Sequence, residues 1–212
     1  DTPLKTITDW IEKTYLRHDF NGFTGDRRFV HDDDAQKSFS KLRSSIGGIY
    51  AWRLTQAPPE YRPKSNAEYQ RLLKEADFTF RQAFAFCPYS PEAVFRYCQL
   101  LLQLQRFDDA LLVAQTCLKL DPYNRQVRDL VENIRRYKKE TAGFEQFRSN
   151  LQQREEEVRK NPGNFQAAFD LAGNYLQMQQ TERALGVLEG VLNHPKADAS
   201  AFRGLLQAYS SF

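Results

Sequence analysis

Two prolines, Pro88 and Pro122, lie 34 residues apart, and this spacing constrains the fold more than any other feature of the sequence. A period of this length is typical of proteins in which each repeat is one pair of packed helices. Helix-contact residues recur at the same distances before each proline, namely Ala76, Phe80 and Ala83 before the first and Ala110, Ala114 and Cys117 before the second.

The stretch from 90 to 124 has the clearest pattern. Two amphipathic runs flank a short polar turn, and the second run ends at Asp121-Pro122, which predicts a helical hairpin. These features resemble the tetratricopeptide repeat (TPR), and the same frame returns at 165–195. The resemblance implies an all-α, right-handed superhelical stack of antiparallel helix pairs, in which these two stretches are the best-formed repeats.

The sequence divides into a non-repeat cap, residues 1–64, and an irregular TPR-like array, residues 65–212. Between Arg125 and Pro162 we predict a degenerate repeat of two helices, interrupted at Thr141-Ala142-Gly143. In the cap, an ordered loop over residues 18–34 is held by its aromatic side chains, and Asp32, Asp33 and Asp34 begin the helix that follows.

That helix has an apolar face and a glycine pair. Its apolar face consists of Phe39, Leu42, Ile46, Ile49 and Tyr50. Because each glycine inside a helix costs about 1 kcal/mol relative to alanine, Gly47-Gly48 predicts a close crossing with another helix.

Composition narrows the class of protein. The 30 basic and 27 acidic residues give a net charge of +3 without a basic run, so we predict no nucleic-acid partner. No apolar run reaches the roughly 18 residues of a membrane span. The three cysteines form neither a disulfide framework nor a metal spacing and suit a reducing compartment. We interpret the chain as a soluble segment of a longer protein, in the cytoplasm or tethered at a membrane surface.

The TPR resemblance implies a function, because the first helices of such repeats line a concave groove that binds a peptide or a protein. We therefore predict a protein-interaction scaffold. The predicted groove residues are Phe95, Gln99, Leu102, Gln103, Asp129, Asn133, Arg136, Phe169 and Gln177. Amide side chains suit an extended peptide backbone, and Phe95 and Phe169 suit its apolar side chains, although all of these also suit a solvated or packed helix face. The Lys/Asn/Arg clamp of the chaperone-tail TPR subfamily is missing.

A second resemblance gives the alternative function. The runs FSKLRSSIGGIYAWR and FRQAFAFCPYSPEAVFRY look like the soluble C-terminal region of bacterial polytopic membrane proteins related to protein O-mannosyltransferases. This resemblance implies an accessory region of a membrane-bound glycosyltransferase, associated with a membrane enzyme in the same chain or complex.

We predict no catalytic residue, cofactor or metal in this segment. No serine, cysteine or lysine has an activating motif, and no glycine-rich loop follows a strand. His18, Asp19, Asp26 and His31 form a loop with metal-ligand chemistry, but their spacing matches no metal motif. Capping and the neighbouring Arg27-Arg28 account for the acidic residues.

Overall fold

The computed structural model describes residues 2–210, and this part of the chain is all-helical, without a strand, as predicted. Its α-helices are α1 (Leu4–Ile11), α2 (Asp33–Thr55), α3 (Asn66–Phe86), α4 (Pro91–Gln103), α5 (Phe107–Leu120), α6 (Arg125–Lys160), α7 (Phe165–Gln177), α8 (Thr181–Leu192) and α9 (Ala199–Tyr209). None of these helices is both long and apolar enough to cross a membrane.

The chain forms two compact units, Asp1–Lys138 and Lys139–Phe212, and the division falls inside α6. The boundary between cap and array predicted from the repeat pattern, between residues 64 and 65, lies in the connection between α2 and α3. These two helices form the most extensive helix pair of the first unit. The predicted boundary marks where the repeat pattern begins in the sequence. That the helices after it form a repeat array stays a prediction.

The first unit is built from the pairs α2–α3 and α4–α5, with α1 packed on α3 and α5. Its core contains large side chains from α3 and α4, among them Phe80, Phe84 and Tyr97. The beginning of α6 completes this core with Val127, Val131 and Ile134. Burial of these apolar side chains is the main favourable contribution to the stability of the unit.

The loop between α1 and α2 is ordered by aromatic contacts, as predicted. Trp10 stacks on Phe23 with ring centroids 6.3 Å apart, and Phe20 and Phe23 pack on the core of the first unit. Asp32 caps α2, where its carboxylate accepts a hydrogen bond from the Ala35 amide at 2.9 Å. The predicted acidic cap is therefore confirmed.

The fully buried face of α2 consists of small and polar residues, although Tyr50 of the predicted apolar face is partly buried and packs on the core. Its buried residues are Gln36, Ser40, Ser44 and Gly47, and Ser40 donates a hydrogen bond to the Ala83 carbonyl of α3. A Cβ on Gly47 would lie 2.8 Å from Thr79 Oγ1 and 3.1 Å from the Phe80 ring, so the predicted close crossing is confirmed. The apolar residues Phe39, Leu42 and Ile49 remain exposed.

Helix α6 corrects the prediction of two helices between Arg125 and Pro162. It is one helix of 36 residues, Arg125–Lys160, and passes through Thr141-Ala142-Gly143 without interruption. A single glycine costs a helix only about 1 kcal/mol, and the segment contains no proline that would remove a helical hydrogen bond. Most of the surrounding residues are good helix formers.

The second unit contains the pair α7–α8, and α9 contacts both helices. Its core includes Leu171, Tyr175, Leu188 and Leu205. Leu151 of α6 is also part of this core.

The turns of the two best repeats have the same geometry. In α4–α5 the turn residue Gln105 has φ of 57°, and in α7–α8 the turn residue Gln179 has φ of 57°. The residues before these two turns, Leu104 and Met178, both have φ of −86° and ψ of 4°. A left-handed residue is uncommon outside glycine, so the match shows that the two hairpins turn in the same way.

Candidate binding surfaces

The predicted groove residues of α4 lie on its exposed side, beside α2. Gln99 and Gln103 are exposed, and together with Trp52 and Thr55 of α2 they line a depression of about 170 Å³. This volume suits one apolar side chain. The Trp52 ring lies 6.0 Å from the Tyr61 ring, centroid to centroid, and supplies the aromatic wall.

Gly48 of α2 allows Arg96 of α4 to lie across this depression. A Cβ at Gly48 would lie 2.9 Å from Nη1 of Arg96. The Arg96 guanidinium pairs with Glu92 at 3.0 Å on the exposed side of α4. The depression therefore combines an aromatic wall with amide and guanidinium donors.

The other predicted groove residues of the first unit fall into two groups. Phe95 and Leu102 are partly buried and pack against the core, so much of each side chain has a structural role. Asp129, Asn133 and Arg136 are exposed on α6. The Asn133 amide oxygen accepts a hydrogen bond from Arg136 at 3.0 Å.

In the second unit, the predicted groove residues of α7 line a cleft of about 920 Å³ that faces α9. Phe169 and Gln177 belong to this cleft, and Gly173 lies between them on the same side of the helix. The α9 side carries polar and small residues, namely Ser200, Arg203, Gly204 and Gln207. The cleft joins an apolar base to hydrogen-bonding groups on both helices.

Phe169 also has a packing role in this cleft. A Cβ at Gly204 would lie 2.4 Å from the Phe169 ring, so the ring lies directly on the α9 backbone. Gly173 is different, because a Cβ there would meet no heavy atom within 4 Å. The space in front of Gly173 is therefore open to a ligand.

A cavity of about 940 Å³ in the first unit was not predicted from the sequence. It lies between α1 and α3 and reaches the turn between α4 and α5; Trp10, Phe78 and Arg106 are part of its lining. No motif indicated it, since its residues come from three distant stretches of the chain. In the sequence the signal was limited to the aromatic residues Trp10 and Phe78, and only the structure shows that both are exposed.

An ion-pair network centred on Asp77 forms one wall of this cavity. The Asp77 carboxylate lies 2.6 Å from Nε of Arg81 and 3.1 Å from Nη1 of Arg106. It also accepts a hydrogen bond from the Tyr97 hydroxyl at 3.0 Å. Burial, reinforced by the Asp77 charge, raises the pKa of Tyr97, so this hydroxyl stays protonated and donates to the carboxylate.

The histidine-containing loop is organised by stacking and capping. The rings of His18 and His31 stack with centroids 5.7 Å apart. Asp26 accepts hydrogen bonds from the side chain and backbone of Arg28, which lower the pKa of its carboxyl group. Among residues 2–210, no group of three or more histidine, cysteine or acidic side chains is placed to hold a metal ion.

The cysteines are buried and have no disulfide partner among the described residues. Burial raises the pKa of Cys87 to about 11 and that of Cys98 and Cys117 to about 12. A thiol with such a pKa is a poor nucleophile at neutral pH, because only the thiolate reacts. These residues therefore contribute packing to the core.

No protein-family model matches the chain, and comparison with curated proteins finds no significant match.

Proposed function

We propose that the chain is a TPR-like scaffold that binds an extended peptide, with its principal site in the cleft between α7 and α9. The observation that carries this proposal is the position of Phe169, Gly173 and Gln177, which the repeat pattern assigns to a groove and which line the cleft. The resemblance to TPR proteins is supported by the matching left-handed turn residues of the two best hairpins.

The chemistry of the cleft suits a peptide backbone. Gln166, Gln177 and Gln207 offer amide groups that both donate and accept hydrogen bonds. Leu176 and Phe169 provide apolar surface for side chains of the peptide. Alternating apolar and hydrogen-bonding contacts are the common basis of extended-peptide recognition.

The depression between α2 and α4 provides a second contact surface of the same kind. Trp52 supplies an aromatic wall for one side chain, while Gln99, Gln103 and Arg96 supply donors. Its volume of about 170 Å³ limits it to a single side chain, so it contributes less to affinity than the larger cleft.

Two glycine-to-leucine variants test the principal site. Peptides are first selected from a random displayed library on the full 212-residue chain. Gly173→Leu fills the cleft, whereas Gly190→Leu adds the same bulk to an exposed position of α8 where a Cβ also meets no heavy atom within 4 Å. Because both changes replace a helical glycine, both variants should keep or slightly raise the stability of the fold.

We expect selected peptides to bind wild type and Gly190→Leu equally and to bind Gly173→Leu about tenfold or more weakly, since the leucine occupies the ligand's space. Fluorescence anisotropy of labelled peptides measures the affinities. Failure to select any peptide, or equal binding to both variants, contradicts the proposal.

A further inference from the structure

The cavity between α1 and α3 is a separate site from the peptide surfaces. The cavity shares no lining residue with the α2–α4 depression or with the α7–α9 cleft. Its volume of about 940 Å³ lies at the upper end of the roughly 300–1,000 Å³ common for small-molecule pockets.

The walls of the cavity are apolar and partly aromatic. Ile7 and Trp10 face it from α1, Leu73 and Phe78 from α3, and Leu104 from the α4–α5 turn. Phe78 is 55% exposed, although it belongs to a helix whose other face is buried in the core. Large exposed apolar side chains gathered around a cavity are typical of ligand-binding surfaces.

Positive charge predominates in the lining. Among the described residues, the lining contains three cationic side chains, Lys74, Arg81 and Arg106, and one carboxylate, that of Asp77. Asp109 lies 2.6 Å from Nη2 of Arg106 and offsets part of that charge. Lys74 and Arg81 are seven positions apart on α3, about two turns, and therefore lie on the same side of the helix.

The Asp77 network holds the guanidinium groups of Arg81 and Arg106 in place before any ligand arrives. Arg81 contacts Asp77 through Nε, and its Nη1 donates to the Thr2 carbonyl at 2.5 Å. Tyr97 and Arg106 fix the carboxylate from the other side. Preorganised donors lose little conformational entropy on binding, which favours affinity.

We propose that this cavity binds a monocarboxylate with a long apolar chain, placing the chain against Trp10 and Phe78 and the carboxylate near Lys74 and Arg81. An ammonium ligand suits the site poorly, because the Asp77 carboxylate already contacts Tyr97, Arg81 and Arg106. The apolar walls exclude a small inorganic anion as the main ligand, since such an ion leaves them exposed to water.

Two probes with the same chain and opposite charge test the ligand class. Dodecanoate and dodecyltrimethylammonium are titrated, below their micelle concentrations, into the full 212-residue chain by calorimetry. We expect dodecanoate to bind with a stoichiometry of one and the cation to bind about tenfold or more weakly, because the lining carries excess positive charge. Absence of dodecanoate binding, or equal binding of the cation, overturns the proposal.

Matched variants locate the site. Lys74→Gln removes an exposed charge at the cavity, and Lys41→Gln removes one from α2. Phe78→Ser removes an exposed ring at the cavity, and Phe144→Ser removes one from α6, where the ring is similarly exposed. Because all four side chains are exposed, the variants should fold, as circular dichroism will verify.

We expect Lys74→Gln and Phe78→Ser each to weaken dodecanoate binding about fivefold to tenfold, as is usual for losing one charge-assisted or apolar contact. Lys41→Gln and Phe144→Ser should bind like wild type. If the cavity variants lose no more affinity than the controls, dodecanoate binds elsewhere and the proposal is wrong. Fluorescence of Trp10 in a Trp52→Phe background, quenched or shifted by dodecanoate, gives a second readout at the cavity itself.

Discussion

Helices α2 and α4 are each the first helix of a packed pair, but they pack in opposite ways. Helix α4 buries its large apolar residues, including Val94, Tyr97 and Leu101. Helix α2 fully buries Ser40 and Gly47 instead and leaves several large apolar residues exposed, namely Phe39, Leu42, Ile49 and Trp52. The difference teaches that hydrophobic spacing identifies a helix, whereas small residues determine how closely a neighbouring helix can approach.

The two ways of packing differ in how much apolar area they bury and in how far apart they hold the two helix axes. Large side chains bury more apolar surface but hold two helix axes farther apart. Small residues allow backbones to approach, so many weak dispersion contacts form along the whole length of the pair. The α2–α3 pair follows the second route, with Gly47 against Thr79 and Phe80.

The largest expected effect on the free energy of unfolding comes from replacing a leucine in α4, compared with a leucine in α2. Leu101 of α4 is 0% exposed, whereas Leu42 of α2 is 57% exposed. Leu101→Ala removes buried contacts and leaves a cavity, so it should lower the free energy of unfolding by about 3 kcal/mol. Leu42→Ala should change it by less than about 0.5 kcal/mol. Urea denaturation of the two variants measures both values, and similar losses would show that α2 buries its apolar face after all.

The next largest effect on stability is expected from replacing the adjacent glycines of α2. A Cβ at Gly47 meets Thr79 and the Phe80 ring, which are buried, so Gly47→Ala should destabilise the fold by about 1–3 kcal/mol. A Cβ at Gly48 meets only the end of the flexible Arg96 side chain. Gly48→Ala should therefore be neutral or stabilising by up to about 1 kcal/mol, through helix propensity.

Thermal and urea denaturation of the two glycine variants provide the comparison. An equal or larger loss of stability for Gly48→Ala would mean that α2 is rotated relative to the packing described here.

The smallest effect concerns the two buried serines of α2. Ser40 donates a hydrogen bond to the Ala83 carbonyl at 2.8 Å, so Ser40→Ala should cost about 1 kcal/mol. Ser44 Oγ is buried and has no hydrogen-bond partner among residues 2–210. Ser44→Ala should therefore be neutral or stabilising, because it removes an unsatisfied polar atom. In urea denaturation, a loss of stability for Ser40→Ala without a loss for Ser44→Ala supports these hydrogen-bond assignments. A loss of stability for Ser44→Ala but not for Ser40→Ala would refute them.

Local features of the fold were predictable because they depend on neighbouring residues. Asp32 caps α2 as its position before a helical run indicated. The aromatic loop was predictable because exposed loops rarely keep so many apolar side chains. The close approach at Gly47 followed from the cost of glycine inside a helix.

Parts of the candidate sites were predictable for a different reason. The repeat frame assigned Phe169 and Gln177 to one side of α7, and both line the α7–α9 cleft. The frame also assigned Phe95 to the groove, but Phe95 is partly buried and packs on the core of the first unit. A repeat pattern predicts which side of a helix faces a groove. The size of the neighbouring residues decides which side chains on that side remain accessible.

The sequence by itself determined that the chain is helical, where α2 begins, and that the stretches 90–124 and 165–195 each form a helical hairpin. These properties depend on local hydrogen bonding, turn conformation and spacing along the chain. Only the tertiary structure decided that α2 packs through its small residues, that α6 continues past Gly143, and that Trp10, Asp77 and Arg106 meet around one cavity. Each of these depends on residues far apart in sequence, whose contacts no local pattern records.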